Sequence, residues 1–264
     1  MAEPPSPCRK WWYRIRPEAH IGHLSPHTGV CVGIIGNPLK RHKLHSESAA
    51  AARDYGEMAG DYDEVVARIC HYFPAVRRWL DRRAIAGGRV LDLGCGTGLN
   101  TRHLGREFEV VALDLSPAML RRTRKARPAT RALLHDLNDP LPSGLGRFEV
   151  VLAIACLEFC RDLPALCQRL AKVLRPGGVA LLSIPHRERG EPAACPLAKP
   201  FPDLIWHLFT QAEARAAIET AGLHASSGRL IPGWTVTPGR RLVRYALWTA
   251  TAASRSKPDR RPPR

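Results

Sequence analysis

The residues best placed to do chemistry are three glycines and two acids at fixed spacing. Gly94, Gly96 and Gly98 alternate along the chain, and Asp92 stands two residues before the first of them. They close an apolar run that begins at Val90, and a second apolar run, from Val110 to Leu113, ends in Asp114. Glycines at the end of a strand let the backbone turn tightly and let a ligand approach the main chain. A carboxylate at the tip of the second strand is placed to accept hydrogen bonds from ribose hydroxyls. The combination describes a site for a nucleoside. It does not describe a dinucleotide site, which needs G-x-G-x-x-G or A to seat a pyrophosphate. Read from Gly94 the last position is Leu99, and read from Gly96 it is Thr101.

Such a site must be held by alternating strands and helices. The pattern predicts strand 88–94, helix 98–105, strand 108–114, helix 116–125 and strand 130–135. Strand 147–155, helix 161–173, strand 178–184, helix 210–221 and strands 224–231 and 241–250 follow. Ser116 is the expected N-cap and Pro117 the expected first residue of its helix. Gly222 marks a helix end. This alternation implies an α/β fold, a doubly wound and mostly parallel seven-stranded sheet with helices on both faces and an antiparallel last strand. Upstream, residues from Ser46 and from Asp61 show helical spacing, and Pro74 separates them from a helix reaching Leu80 and Ala84.

The stretch Asp92 to Gly98 resembles motif I of the class I S-adenosylmethionine-dependent methyltransferases, D/E-x-G-x-G-x-G. Val111 to Leu120 resembles the following motif, and Leu174-Arg-Pro-Gly-Gly resembles the turn into the fifth strand. The likeness runs from Tyr62 to Thr249 and is nearest to the small-molecule, quinone-biosynthesis-like (type 11) enzymes. It implies S-adenosylmethionine as cofactor, held by Tyr62, Asp92, Gly94, Cys95, Gly96, Gly98, Asp114, Leu115, Asp136, Leu137 and Ala153. Asp92 would position the methionine portion, Asp114 the ribose, and Asp136 with Leu137 the adenine. Tyr55 is a second tyrosine near the methionine end. His186, just after the fifth strand, and Glu158, after the fourth, are the candidate catalytic groups. Relatives often carry a histidine where Phe159 stands here.

Composition narrows the rest. At 45 % hydrophobic residues the chain is globular, and no run reaches the eighteen apolar residues of a membrane span. The first residues lack the apolar centre of a secretory signal, and their prolines make a poor amphipathic presequence. Eight cysteines include no C-x-x-C pair, so neither a zinc ribbon nor any other metal site is expected. They read as buried thiols of a reducing, cytoplasmic compartment. Residues 1–47 form an irregular basic extension, 48–251 the catalytic domain, with 185–209 as a substrate cover, and 252–264 a basic tail. The net charge of +16 lies partly in these tails, and partly in Arg121, Arg122, Arg124, Lys125, Arg127 and Arg131. The expected partner is a small-molecule methyl acceptor. Two alternatives stand beside it: an RNA or protein methyltransferase using the basic segment, and a non-catalytic module that binds the cofactor.

Overall fold

The computed structural model describes residues 46–83, 87–127, 130–196, 204–235 and 242–254. Three helices come first: α1 (Ser46–Met58), α2 (Tyr62–Ile69) and α3 (Phe73–Arg83). The alternating part follows as β1 (Arg89–Leu93), β2 (Glu109–Asp114), α4 (Pro117–Ala126), β3 (Arg131–Leu134) and β4 (Phe148–Ala153). After a 3-10 turn at Leu157–Phe159 come α5 (Leu163–Val173) and β5 (Leu174–Pro185). The chain ends in β6 (Ala194–Pro196), β7 (Ile205–His207), α6 (Gln211–Thr220), β8 (Leu223–Ala225), β9 (Arg229–Thr235) and β10 (Leu242–Ala252).

The main sheet has the order β3-β2-β1-β4-β5-β10-β8, with β9 also paired to β10. Strands β1 to β5 run parallel and β10 is antiparallel to β5. The order reverses between β1 and β4, which opens a crevice at the carboxyl ends of the central strands.

Apolar alternation explains the layering. Leu91, Leu93, Val111, Leu113 and Val151 face one side, where α5 and α6 bring Leu163, Leu166, Leu170 and Ile218. Val90, Val110, Val150 and Leu152 face the other, where α3 brings Val76, Trp79 and Leu80. Trp79 Nε1 donates to Thr249 Oγ1 at 3.0 Å, which ties α3 to β10. The caps follow the sequence: Ser116 Oγ accepts from Met119 N at 3.4 Å, and Thr210 and Glu213 form a capping box on α6.

Four expectations change. No helix follows β1: residues 94–104 form successive turns closed by Thr101 N to Gly98 O at 3.1 Å and Leu104 N to Thr101 O at 3.0 Å. Thr101 spends its hydroxyl on Asp92, and glycines at 94, 96, 98 and 105 weaken any helix there. β5 begins at Leu174, so Pro176-Gly177-Gly178 lies inside the strand as an irregularity rather than before it. The run expected as strand 224–231 is two strands, because Ser226 turns its Oγ to accept from Thr249 N at 2.9 Å and Gly228 passes beneath the Trp248 ring. The sheet therefore has eight strands. Helix α1 begins inside the extension assigned to residues 1–47; positions 1–45, Ala84, 197–203 of the expected cover and 255–264 of the tail lie outside the described residues.

Candidate functional site

One cavity opens at the carboxyl ends of β1, β2, β3 and β4. Gly94, Gly96, Asp114, Leu115, Asp136 and Leu137 line it, and Tyr55 and Tyr62 close it from the helical side.

The glycine loop is built by backbone conformations that favour glycine. Gly94, Gly96 and Gly98 have φ of +67°, +55° and +81°. At Gly94 a Cβ would stand 2.4 Å from Cys156 Cβ, so the strand tip and the β4 loop meet only through the missing side chain. The loop is then fixed by Asp114. Its Oδ2 accepts from Gly96 N and its Oδ1 from Ser116 N, both at 2.8 Å. Burial raises the Asp114 pKa, and these two amides oppose the rise. Each carboxylate oxygen retains a lone pair for a ribose hydroxyl.

Asp92 lies beneath the loop, fully buried. Oδ2 accepts from Thr101 Oγ1 at 3.0 Å, and Oδ1 has no partner among the described residues. Burial pushes its pKa to about 7, and the nearby Asp114 charge adds to the rise. A buried, unpaired acceptor at this place fits a donor arriving with the ligand.

Asp136 is organised by a residue the sequence reading missed. Its Oδ1 accepts from Asn138 N at 2.9 Å and from Asn138 Nδ2 at 3.0 Å. Asn138 also donates to Phe159 O and accepts from Arg161 N, each at 2.9 Å. It thereby joins the loop after β3 to the loop after β4. The signal available in sequence was the Asp-x-Asn spacing, which forms a local turn.

The β4 loop carries the one positive-φ residue other than glycine among the described residues, Ala155 at +51°. Its N–H donates to Ser183 Oγ at 2.7 Å. Ala155 and Cys156 line the cavity, whereas the expected Ala153 is buried inside the strand two residues earlier. Cys95 and Gly98 also stay off the lining: Cys95 Sγ lies 3.6 Å from Thr123 Oγ1, and Gly98 packs on the same threonine. His186 is not among the lining residues either. Its backbone N–H donates to Arg244 O at 2.9 Å and its Nδ1 is buried without a hydrogen-bond partner among the described residues. Glu158 sits behind the tyrosines, 2 % exposed.

Further lining comes from α1. Glu47, Ser48 and Ala51 face the cavity together with Tyr55 and with Ile205 of β7. Arg161 Nη1 donates to Ser48 Oγ at 3.4 Å, and His207 Nε2 stands 3.6 Å from Glu47 Oε2. Thus one strand of the expected cover does meet the site.

The basic segment does not form one face. Arg127 is buried and donates to the carbonyls of Leu104, Gly105 and Phe108. Arg124 donates to Ala132 O at 2.6 Å, and Arg122 donates to Gly60 O. Among the described residues no helix is long and apolar enough to cross a membrane, and no group of three or more metal-ligating side chains gathers.

Known proteins resemble this chain in sequence and in fold. Residues 90–178 match a family model described as a methyltransferase domain. A malonyl-[acyl-carrier protein] O-methyltransferase of Halorhodospira halophila is 36 % identical over 151 residues, covering 55 % of this chain and 48 % of that protein. The Serratia marcescens protein of the same name is 35 % identical over 143 residues, covering 51 % and 52 %. The chain thus spans about half the length of these curated relatives. Among solved structures, the Burkholderia thailandensis 1,6-didemethyltoxoflavin-N1-methyltransferase, with S-adenosylhomocysteine bound, superposes with a TM-score of 0.60 at 19 % identity. That match covers 83 % of this chain and 94 % of the other. Residues 90–178 thus resemble a methyltransferase domain, and they carry the glycine loop and the central strands described above.

Proposed function

We propose that the chain transfers a methyl group from S-adenosylmethionine to a small-molecule acceptor by in-line displacement. The observation that carries this reading is the convergence of the Gly94–Gly96 loop, Asp114 and the Asp136–Asn138 turn on one cavity. The donor set fits the cofactor: a carboxylate for the ribose, a buried unpaired Asp92 oxygen for the amino group, and Leu115 and Leu137 for the adenine faces. Tyr62, Gly94 and Gly96 would hold the methionine end, with Cys95 and Gly98 shaping the loop and Ala155 and Cys156 taking the place expected of Ala153. When bound, S-adenosylmethionine supplies a methyl group activated by a sulfonium. The chain's own contribution is alignment and exclusion of water, which Tyr55, Tyr62 and Phe159 provide as an aromatic wall.

The attacked atom is not inherited from the similar proteins, one of which is named for O-methylation and another for N1-methylation. A nucleic-acid acceptor draws no support from the basic segment, whose Arg124 and Arg127 are committed to backbone carbonyls. A purely binding role remains the competing reading.

Thermal unfolding with S-adenosylmethionine, S-adenosylhomocysteine and NAD in parallel tests the cofactor. Ligand at a hundredfold over its dissociation constant adds about 2.7 kcal/mol. A shift with the first two alone is expected. No shift with either would refute the reading, and a shift without methyl transfer to any acceptor would favour the binding module.

A further inference from the structure

The groups assigned above to the cofactor sit at the strand tips. Further lining of the same cavity comes from other elements: Ala51 and Tyr55 of α1, Phe159 and Arg161 of the β4 loop, and Ile205 of β7. Among the described residues Arg161 is the one arginine or lysine that lines the cavity. Its main chain is fixed, because its N–H donates to Asn138 Oδ1 at 2.9 Å. Asn138 in turn donates to Asp136 Oδ1 and to Phe159 O. The half-buried side chain is held more loosely. Its Nη1 donates to Ser48 Oγ at 3.4 Å, a neutral partner at the long end of hydrogen-bond geometry. No carboxylate pairs with the guanidinium among the described residues.

The acids that share the cavity have partners of their own. Asp114 accepts from the amides of Gly96 and Ser116. Asp136 accepts from Asn138, and Glu47 stands 3.6 Å from His207 Nε2. A guanidinium stays charged and presents five N–H donors in a planar fork. One of the five reaches Ser48, and the other four have no acceptor among the described residues. An oxyanion held by two parallel bonds is the ligand such a fork fits best.

Resting on the methyl-transfer reading above, we infer that Arg161 grips an oxyanion of the acceptor, a carboxylate or a phosphate carried on an apolar body. The body packs on Ala51, Tyr55, Phe159 and Ile205. Arg161 is then a specificity-determining residue, and the anion is the handle of the acceptor, not the atom that is methylated. Oxygens whose lone pairs accept charge-assisted bonds from a guanidinium are weak nucleophiles toward a sulfonium methyl. The attacking oxygen or nitrogen therefore stands elsewhere on the same molecule.

The test uses the full chain loaded with S-adenosylhomocysteine and three probes that share one apolar body. These are 4-ethylbenzoate, 4-ethylphenyl phosphate and the neutral 4-ethylbenzamide. Calorimetry at pH 8 is expected to show at least one anion binding about tenfold or more tightly than the amide, and the preferred anion tells carboxylate from phosphate. Raising sodium chloride from about 0.05 to about 0.5 M should erode that advantage and leave the amide unmoved. Arg161→Gln keeps a donor for Ser48 but removes the charge, and should bring the anion to within about twofold of the amide. Arg161→Lys, which keeps the charge and loses the fork, should fall between. Absence of binding by both anions, equal binding of all three probes, or an anion advantage that survives Arg161→Gln would overturn the inference. A loss of about tenfold or more in S-adenosylhomocysteine affinity in Arg161→Gln would overturn it too, by assigning the guanidinium to the cofactor. If Arg161→Gln does not fold, the salt series on the unaltered chain decides, and an advantage indifferent to salt overturns the inference. Failure of S-adenosylhomocysteine to bind the unaltered chain would overturn the cofactor reading instead.

Discussion

Replacing Gly94 by alanine tests whether the cavity floor depends on a missing side chain. The residue has φ of +67°, and an L-residue held there costs about 1–2 kcal/mol. The new methyl would also stand 2.4 Å from Cys156 Cβ and 2.8 Å from its Sγ. Both atoms belong to a buried residue whose Sγ bonds to Leu93 O at 3.2 Å, so the neighbour has little room to yield. Overpacking of this kind costs about 1–3 kcal/mol. The expected loss is therefore about 2–5 kcal/mol in urea unfolding, with weaker S-adenosylhomocysteine binding. A double-mutant cycle with Cys156→Gly separates the two parts. The cycle should recover the overpacking part and leave the conformational part. A loss below about 1 kcal/mol, or no coupling between the two sites, would refute the reasoning.

Three other outcomes follow from the same geometry. Asp114→Ala should lower S-adenosylhomocysteine affinity about 10- to 100-fold while the far-ultraviolet spectrum stays native, because charge-assisted ribose bonds worth about 1.5–3 kcal/mol are lost; unchanged affinity in calorimetry would sink the ribose assignment. Burial lifts Glu158 from an ordinary 4.5 to about 7, so the folded state holds a proton that the unfolded state has released between those values. Its contribution is then greatest below pH 4.5 and falls by about 3 kcal/mol as pH rises through 7; Glu158→Gln should flatten that part of a stability–pH curve, and an identical curve would refute the assignment. Arg127→Met should cost about 2 kcal/mol or more in denaturant unfolding, since the carbonyls of Leu104, Gly105 and Phe108 lose a shared donor; a loss within 0.5 kcal/mol would show that water replaces it.

What was legible in the sequence was local. Asp92, the glycine spacing and Asp114 report a strand–turn–strand geometry within one short stretch, and the structure gathers Gly94, Gly96 and Asp114 on a single cavity. Tyr62, Asp136 and Leu137 come to the same place. What escaped depends on distant partners. The segment after Gly98 reads as helical by its apolar spacing, yet Thr101 answers to Asp92 rather than to its own turn. Glu158 lies next to Phe159 in sequence, but its burial is decided by Tyr245 on the antiparallel strand. The role of Asn138 needs the β4 loop beside it. Ser226 looks like an ordinary strand residue until Thr249 claims its hydroxyl.

The helix that walls the cavity, Ser46–Met58, lies upstream of the matched methyltransferase stretch at 90–178. It buries only small or short side chains, Ser48, Ala50, Ala51 and Asp54. The molecule therefore divides its labour. On the function proposed above, the strand tips would hold the nucleoside, while a helix outside the matched stretch would shape the space left for the acceptor. If that function holds, exchanging Glu47, Ser48, Ala51 or Tyr55, which line the cavity from outside the sheet, should shift the choice of acceptor. A library confined to these four positions is the shortest route to a different acceptor on an unchanged scaffold.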